Sequence, residues 1–591
     1  MKTIFLCSIG PVQDFIATAR KSRDLWYGSL LLSELAKSIA KIIYEKYGSD
    51  SLIIPAPVKT KDDLKPLSDF SVPNKILAVF DELDHDFEET LPGVIEGRLK
   101  VLWEGAQSEI KGYLEPNDLA WKQIKDLVEF YWVAVPYEDD DGFKKAREAA
   151  EALLAARKNT RNFDPLESTG KPKSSLDGFR ESVIPEEAYP KYKDNEKTKG
   201  KKIRDLYNHY HAKEGEQLSG VDLLKRLGKG KKEADFPSTS ELAAAPFFEW
   251  MKKNKIKETD IIDGLKQILK DNEWQENQIS EGRALVFESR LMEYLPLKAV
   301  REKAREEYAK ILDEHVGKKR PSPYYALLIA DGDNMGKVID SKNDEIAHRE
   351  LSKLISEFAI AVPKIIKEFQ GTCIYAGGED ILAYLPLHTA LACAAKLEAD
   401  FKEIMKNQIF TENGKQFQPT LSGGLVIAHH LTPLSEVFKL ARNAEKKSKT
   451  VTGKNALTII LNKRSGAERM VRDNWPALIK RFQVMIEMTR KGWISKGTAY
   501  ELQGLAHEFP EATQPWLKQG IIDEASYIIE RKRQPGTDKA LLTEVKTKLV
   551  GWLKVLSISE LALEMIIAAE FAGAEEMADA AIKEVLKCKN G

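Results

Sequence analysis

Cysteine is scarce in this chain: four residues in 591, Cys7, Cys373, Cys393 and Cys588, scattered singly with no Cys-x-x-Cys pair. Single thiols supply neither a disulfide framework nor a four-cysteine zinc centre, so no zinc is expected and a reducing compartment suits the chain. Cys7 and Cys373 fall inside strand-like runs and read as core thiols. Long hydrophobic runs are missing too: none reaches the roughly 18–20 residues of a membrane span. The residues after Met1 read as a strand with one lysine, not a signal peptide. No membrane partner is expected, and the expected location is cytoplasmic. Nor is there an excess of either charge. Ninety Lys and Arg face 91 Asp and Glu, which excludes a generic polyanion binder. The length calls for several domains.

What the chain does have is two acidic motifs, Asp331-Gly332-Asp333-Asn334-Met335-Gly336 and Gly377-Gly378-Glu379-Asp380. Each follows an apolar run that reads as a buried strand, Tyr324 to Ala330 and Thr372 to Ala376. Between them, Leu351, Leu354, Ile355, Phe358, Val362, Ile365, Ile366 and Phe369 fall at helical spacing, with Pro363 predicting a kink or restart. Ile381 to Leu385 makes the second half of a hairpin around the glycines. A helix through Leu391, Leu397 and Phe401, a strand at Leu421–Ala428, a helix through Val437 and Ala444, and a strand at Ala456–Leu461 complete the unit.

The order β-α-β-β-α-β is the ferredoxin-like split pattern, in which the first strand pairs antiparallel with the third. The end of strand one and the hairpin tip then meet at one edge. Asp331, Asp333, Glu379 and Asp380 come within reach of a shared ion. Alone, Asp-Gly-Asp is a turn and Gly-Gly-Glu-Asp a hairpin tip. Together, in this order and topology, they suit Mg²⁺, which takes oxygen ligands and bridges to phosphates. That points to nucleotidyl transfer by a metal pair.

Elsewhere the pattern is coarser. Residues 141–320 are rich in Lys and Glu and mostly helical, and after Arg464 the chain reads as helical to its end. Trp475, Ile479, Phe482 and Ile486 mark one stripe there, and Leu561, Met565, Ile566 and Ala569 another. Lys191 to Lys232 is strongly basic, with Tyr189, Tyr192, Tyr207, His209 and Tyr210 interleaved. That mixture suits phosphate contact with base stacking; it equally suits a solvated surface insertion.

The segment 324–461 resembles the palm of GGDEF-type nucleotide cyclases. More closely, it resembles the palm of the large subunit of type III CRISPR effector complexes, whose Gly-Gly-Asp-Asp signature stands here as Gly377-Gly378-Glu379-Asp380. Ala441 to Asn455, with Lys449 and Lys454, resembles the cyclase helix whose basic residues hold triphosphate. The opening Ser8-Ile9-Gly10-Pro11-Val12-Gln13-Asp14-Phe15-Ile16, followed by Ala19 to Ser29, resembles the first palm in the III-B branch. Pro73 to Ala78 and Phe130 to Pro136 fit its later strands.

The resemblance implies an α+β chain in four parts. These are a degenerate first palm (1–140), a helical middle domain without a zinc site (141–320), a second palm (321–465) and a C-terminal helical bundle (466–591). It implies other type III-B subunits, guide RNA and target RNA as partners, and ATP as substrate for a cyclic oligoadenylate messenger. Asp331, Glu379 and Asp380 would be the catalytic residues and hold two Mg²⁺ or Mn²⁺ ions, with Asp333 a further metal candidate or an orienter of the turn. Gly332, Gly377 and Gly378 would let phosphate approach, and Lys449 and Lys454 are candidates for the triphosphate, although both equally suit a solvated helix face.

The chain departs from the family where Glu379 replaces an aspartate, which lengthens the carboxylate's reach by about 1 Å. With the first palm expected to begin at residue 3, no N-terminal HD nuclease is expected, and His85-Asp86 is the only such dipeptide in the sequence. Three alternatives stay open. They are conjugation of AMP to another adenosyl compound such as S-adenosylmethionine, a non-catalytic scaffold of the same complex, and a free-standing cyclase.

Overall fold

The computed structural model describes residues 1–12, 15–16, 18–84, 86–108, 110–114, 118–138, 142–160, 168–230, 236–279, 282–295, 298–464, 466–509, 515–531 and 539–579. Gln13, Asp14, His85 and Cys588 lie outside them.

Strands β1 (Lys2–Gly10), β2 (Leu52–Ile54), β3 (Lys75–Phe80) and β4 (Glu129–Tyr137) form the first sheet, in the order β2-β3-β1-β4. This is the ferredoxin-like order, and β1 runs antiparallel to both its neighbours. Side chains alternate across the sheet. Phe5, Cys7 and Ile9 join the core with the helices Ser22–Tyr47 and Phe87–Gln107. Ile4, Leu6, Leu77 and Val79 point the other way, under Phe143, Ala146, Ala150 and Leu154 of the helix Gly142–Lys158. The packing unit of this sheet thus runs past residue 140, because that helix covers its second apolar face.

The second sheet contains β5 (Tyr324–Asp333), β6 (Thr372–Gly377), β7 (Asp380–Pro386), β10 (Thr420–His429), β11 (Ala456–Asn462) and β12 (Arg469–Asn474). Its order is β12-β11-β10-β5-β7-β6, so β10-β5-β7-β6 repeat the ferredoxin-like arrangement, with β11 and β12 added at one edge. A small hairpin, β8 (Phe410–Glu412) with β9 (Lys415–Phe417), precedes β10.

Two local expectations are corrected. Pro363 does not restart its helix, which runs unbroken over Glu345–Glu368; its apolar stripe, Phe358, Val362, Ile365 and Ile366, is buried on the sheet. The chain after Arg464 is not wholly helical, since β12 adds an edge strand. Arg469, Arg472, Asp473 and Asn474 break the period-two apolar signal that would reveal it. The β8–β9 hairpin also goes unread, being two three-residue strands that are mostly exposed. Beyond β12 the helices Trp475–Arg490, Lys496–Glu508, Pro515–Arg531, Lys539–Trp552 and Ile558–Asp579 form the bundle. Trp475, Ile479, Phe482 and Ile486 are all buried in it.

The two palms are joined by polar contacts around the start of the Glu345–Glu368 helix. Glu345 accepts from Lys2 Nζ at 2.8 Å and from the Tyr137 hydroxyl. Arg147 donates to Asp340 at 2.6 Å, and the Ala56 amide donates to Ser352 Oγ at 3.0 Å. His348 lies buried in this joint, edge-on to Phe143. Burial, then the Arg147 charge, pushes its pKa down to about 4. An unfolded histidine titrates near 6.5, so below that pH the unfolded chain takes the proton more readily. Stability present above pH 6.5 is therefore lost as pH falls toward 4, by up to about 3 kcal/mol from this residue. Denaturant titrations at pH 7 and 5 should show the fall, and H348F should flatten it.

Candidate active site

Strand register builds the acidic site. The β5–β7 ladder ends at Ala330 opposite Ile381, so one step further sets Asp331 across from Asp380. Gly377 pairs with Asp380 across the hairpin, leaving Gly378-Glu379 as a two-residue turn, with Gly378 at φ +74°. A side chain is strained in that conformation. A Cβ on Gly332 would lie 2.9 Å from Cβ and Cγ of Glu379 and 2.7 Å from Cγ of Met335. One on Gly377 would fall on the Tyr375 ring. These glycines are needed first for the turn and for bringing the two motifs together.

The carboxyls of Asp331 and Asp380 lie within hydrogen-bonding reach of each other. Burial raises Asp380, and the shared hydrogen bond and the charges of Asp331 and Glu379 raise it further, to about 9. Burial also works to raise Asp331, but the hydrogen bond from Asp380 and the Lys449 ammonium outweigh it and hold Asp331 low. Glu379 is raised, by burial and by Asp331. At neutral pH the pair therefore shares one proton. The Asp380 residue itself is exposed to solvent, whereas Asp331 is half-buried.

Lys449 follows the helix Leu434–Ser448 and bonds to Asp331; its Nζ lies 2.8 Å from Glu445. Burial disfavours its charge, but the two carboxylates outweigh burial and raise its pKa. Helix and sheet approach so closely that a Cβ on Gly424 of β10 would lie 2.6 Å from the Ala441 carbonyl oxygen. Lys454, in the following loop at φ +53°, donates to Asn334 Oδ1 at 2.8 Å. Both lysines thus turn toward the first motif.

Asp333 takes a different position from the other three. It is buried, and its Oδ2 accepts from Thr420 Oγ1 at 2.8 Å, Ser422 Oγ at 2.6 Å and the Asn455 amide at 3.1 Å. It ties the end of β5 to the Lys454 loop. Sequence reasoning missed Glu445, Ser422, Thr420 and Tyr375. Glu445 was findable as the i, i+4 partner of Lys449; the others need the strand register.

Among the described residues no three His, Cys, Asp or Glu side chains converge as a ready-made metal cage. The donor set nonetheless fits a hard cation. Two carboxyls are pressed together with a proton between them, a third lies beside them, and Asp333 Oδ1 is buried with no hydrogen-bond partner in the protein. Cys7 and Cys373 lie in β1 and β6. Among the described residues no helix is long and apolar enough to cross a membrane.

Two ferredoxin-like sheets, one bearing carboxylates at a strand end and a facing hairpin, define a protein with tandem palm domains. Comparison with known proteins places the resemblance. Residues 324–458 match the family model "Cas10/Cmr2, second palm domain", and residues 4–108 match "CRISPR-associated protein Cmr2, N-terminal". The chain is 26% identical over 645 aligned residues to the CRISPR system Cmr subunit Cmr2 of Pyrococcus furiosus, covering 94% of this chain and 71% of that one. Two solved type III-B Cmr-beta complexes share its fold at 16% identity. The apo state gives a TM-score of 0.61 over 91% of this chain and 78% of that chain. The state bound to cognate target RNA gives 0.65 over 97% and 83%. The chain resembles the Cmr2 large subunit of type III-B CRISPR complexes and has its α+β fold.

Proposed function

We propose that this chain is the signalling subunit of an RNA-guided type III-B complex. It joins ATP units into cyclic oligoadenylate when target RNA is bound. The observation that carries the reading is the proton-sharing pair of Asp331 and Asp380, flanked by Glu379 and Lys449, inside a segment that matches the second palm of Cas10/Cmr2. The likeness to a Cmr-beta complex bound to target RNA supports other Cmr subunits, guide RNA and target RNA as partners.

Two Mg²⁺ or Mn²⁺ ions held by Asp331, Glu379 and Asp380 would activate a 3′-hydroxyl and neutralise charge at the α-phosphate of ATP. In the transfer the 3′-oxygen forms a bond to the α-phosphorus, the bond to the β-phosphate oxygen breaks, pyrophosphate leaves and the hydroxyl proton passes to solvent. On binding a cation the Asp331–Asp380 pair would release its shared proton. Lys449 and Lys454 set positive charge beside the site, where a triphosphate needs it. Asp333 holds the Lys454 loop against the motif. Gly378 permits the tight tip that presents Glu379 and Asp380 together.

The test is the reconstituted complex with guide RNA, Mg²⁺ or Mn²⁺ and radiolabelled ATP, with and without target RNA, the products resolved by mass. Target-dependent cyclic adenylates are expected. An adduct formed only when S-adenosylmethionine is added would move the activity to conjugation. No product under either condition, with target RNA still bound, would leave a scaffold.

A further inference from the structure

The first acidic motif is clamped at both ends. Asp333, inside it, is held by the Thr420 and Ser422 hydroxyls and the Asn455 amide. Beyond it the chain turns through Asn334, at φ +62°, into the short helix Met335–Asp340. Six residues are too few to fix a helix by their own hydrogen bonds, so its place is set by what it touches. Met335 and Val338 are buried in the second-palm core, and Asn334 accepts from Lys454. The far end is held by the first palm.

Arg147 lies on the helix Gly142–Lys158, which packs on the first sheet. It is only 2% exposed, yet its Nη2 reaches across to Asp340 Oδ1 at 2.6 Å. Asp340, the last residue of the short helix, is exposed and needs no counter-charge. Arg147 Nη1 donates to Glu151 at 3.1 Å, one turn further along its own helix, so Arg147 already has an acid there. The contact with Asp340 is therefore significant for position more than for charge. Phe143, one turn before Arg147, meets the His348 ring edge-on, and His348 Nε2 lies 3.2 Å from the Lys342 carbonyl oxygen. Two successive turns of a first-palm helix thus grip the chain at 340 and, through His348, at 342.

The second acidic motif hangs from the same joint. The helix Glu345–Glu368 is bonded to the first palm at Glu345, Arg349 and Ser352. Its other end leads into β6 and the tip that carries Glu379 and Asp380. Met335 sits where the motifs meet, since a Cβ on Gly332 would lie 2.7 Å from Met335 Cγ and 2.9 Å from Glu379. The short helix is about 9 Å long at 1.5 Å per residue, so a shift at Asp340 carries to Asn334 as a rigid body. With its Asp340 end released, the helix can pivot about Asp333, and Met335 then moves against Gly332 and Glu379.

We propose that Arg147 is a positioning residue for the acidic site. Through Asp340 and the helix Met335–Asp340, the first palm holds the Asp331–Asn334 loop in its cation-binding geometry. The proposal rests on the reading of the acidic motifs as a cation site.

The test uses the purified full chain with a non-hydrolysable ATP analogue, Mn²⁺ affinity read by electron paramagnetic resonance, and amide exchange across residues 335–342. R147Q and D340N are each expected to weaken Mn²⁺ binding about 5-fold or more and to speed that exchange. D340N, at an exposed position, should do so with its unfolding midpoint unchanged, which separates the effect from misfolding. The double variant R147Q/D340N should bind no more weakly than the weaker single variant, because both remove one contact. D340E, which keeps the acceptor, should restore most of the affinity. E151Q, which breaks the Arg147 bond inside the first palm, should match wild type. Wild type that binds Mn²⁺ with R147Q and D340N equal to it, unchanged exchange in both variants, or an equal loss in E151Q overturns this proposal alone. Wild type that binds no Mn²⁺ overturns the cation-site reading and this proposal with it.

Discussion

Asp331→Asn and Asp380→Asn are each expected to lower target-dependent adenylate formation by more than about 100-fold while leaving the chain as stable as before, or more so. The activity loss follows from removing an oxygen ligand and its charge from a site that must hold cations against phosphates. The stability result follows from the same geometry, because two closely apposed carboxyls facing each other across β5 and β7 repel unless a proton or cation lies between them. The sign follows from the raised Asp380. Its folded-state pKa, about 9, exceeds that of an unfolded aspartate, so it favours the folded state at low pH. That contribution is lost as pH rises through 9. Wild-type unfolding midpoints should therefore drop between pH 7.5 and 9.5 without added metal, and the asparagine variants should show a flatter profile. A variant that loses activity and stability together would instead mark these residues as structural.

Arg226→Met, where the middle segment's helix Gly220–Leu227 meets the first palm, should destabilise the chain by about 3–5 kcal/mol for a broken buried ion pair. Arg226 is buried, with Nη2 at 2.8 Å from Asp24 Oδ2 and Nη1 at 2.8 Å from Glu216 Oε2. Burial works to raise the carboxyls of Asp24 and Glu216, but the guanidinium's charge and hydrogen bonds outweigh it and hold both low. Without Arg226, two carboxylates stay buried with their main counter-charge gone, only Arg20 at 3.5 Å from Glu216 and the Lys21 charge offsetting part of the loss. Asp24 also accepts from the Arg20 and Lys21 amides at 3.2 and 3.1 Å, so the loop entering the Ser22–Tyr47 helix should loosen with it. Hydrogen exchange should show protection lost first at residues 20–30. The triple variant D24N/E216Q/R226M should recover part of the loss, since it leaves no buried charge. Full protection in R226M would contradict this account.

Much of the second palm was legible because its chemistry and its periodicity coincide. Tyr324–Asp333 and Asp380–Pro386 are buried runs that end at, or begin in, an acidic motif, and the helix between them carries a clear apolar stripe. Strand order then follows from the ferredoxin-like pattern, and with it the meeting of Asp331 and Asp380. Other features were not legible for physical reasons. Strand β12 is an edge strand whose outward positions are charged. Asp333 looks like Asp331 in the sequence, and only the β5–β10 register shows that Ser422 and Thr420 capture it. Lys449 and Lys454 fit a solvated helix face until the close seat of the Leu434–Ser448 helix over Gly424 turns them toward the motif. The Arg226–Asp24 pair spans 202 residues and has no local signature, and Glu216, ten residues before Arg226, has no helical spacing to it.

The most direct test of the central claim is Mn²⁺ binding, followed by electron paramagnetic resonance, to the purified chain with a non-hydrolysable ATP analogue. The account predicts bound Mn²⁺ in the wild type, with affinity rising from pH 6.5 to 8.5 as the cation displaces the proton shared by Asp331 and Asp380. It predicts loss of that signal in both D331A and D380A. Equal Mn²⁺ binding in wild type and both variants, or none in any of them, would contradict it.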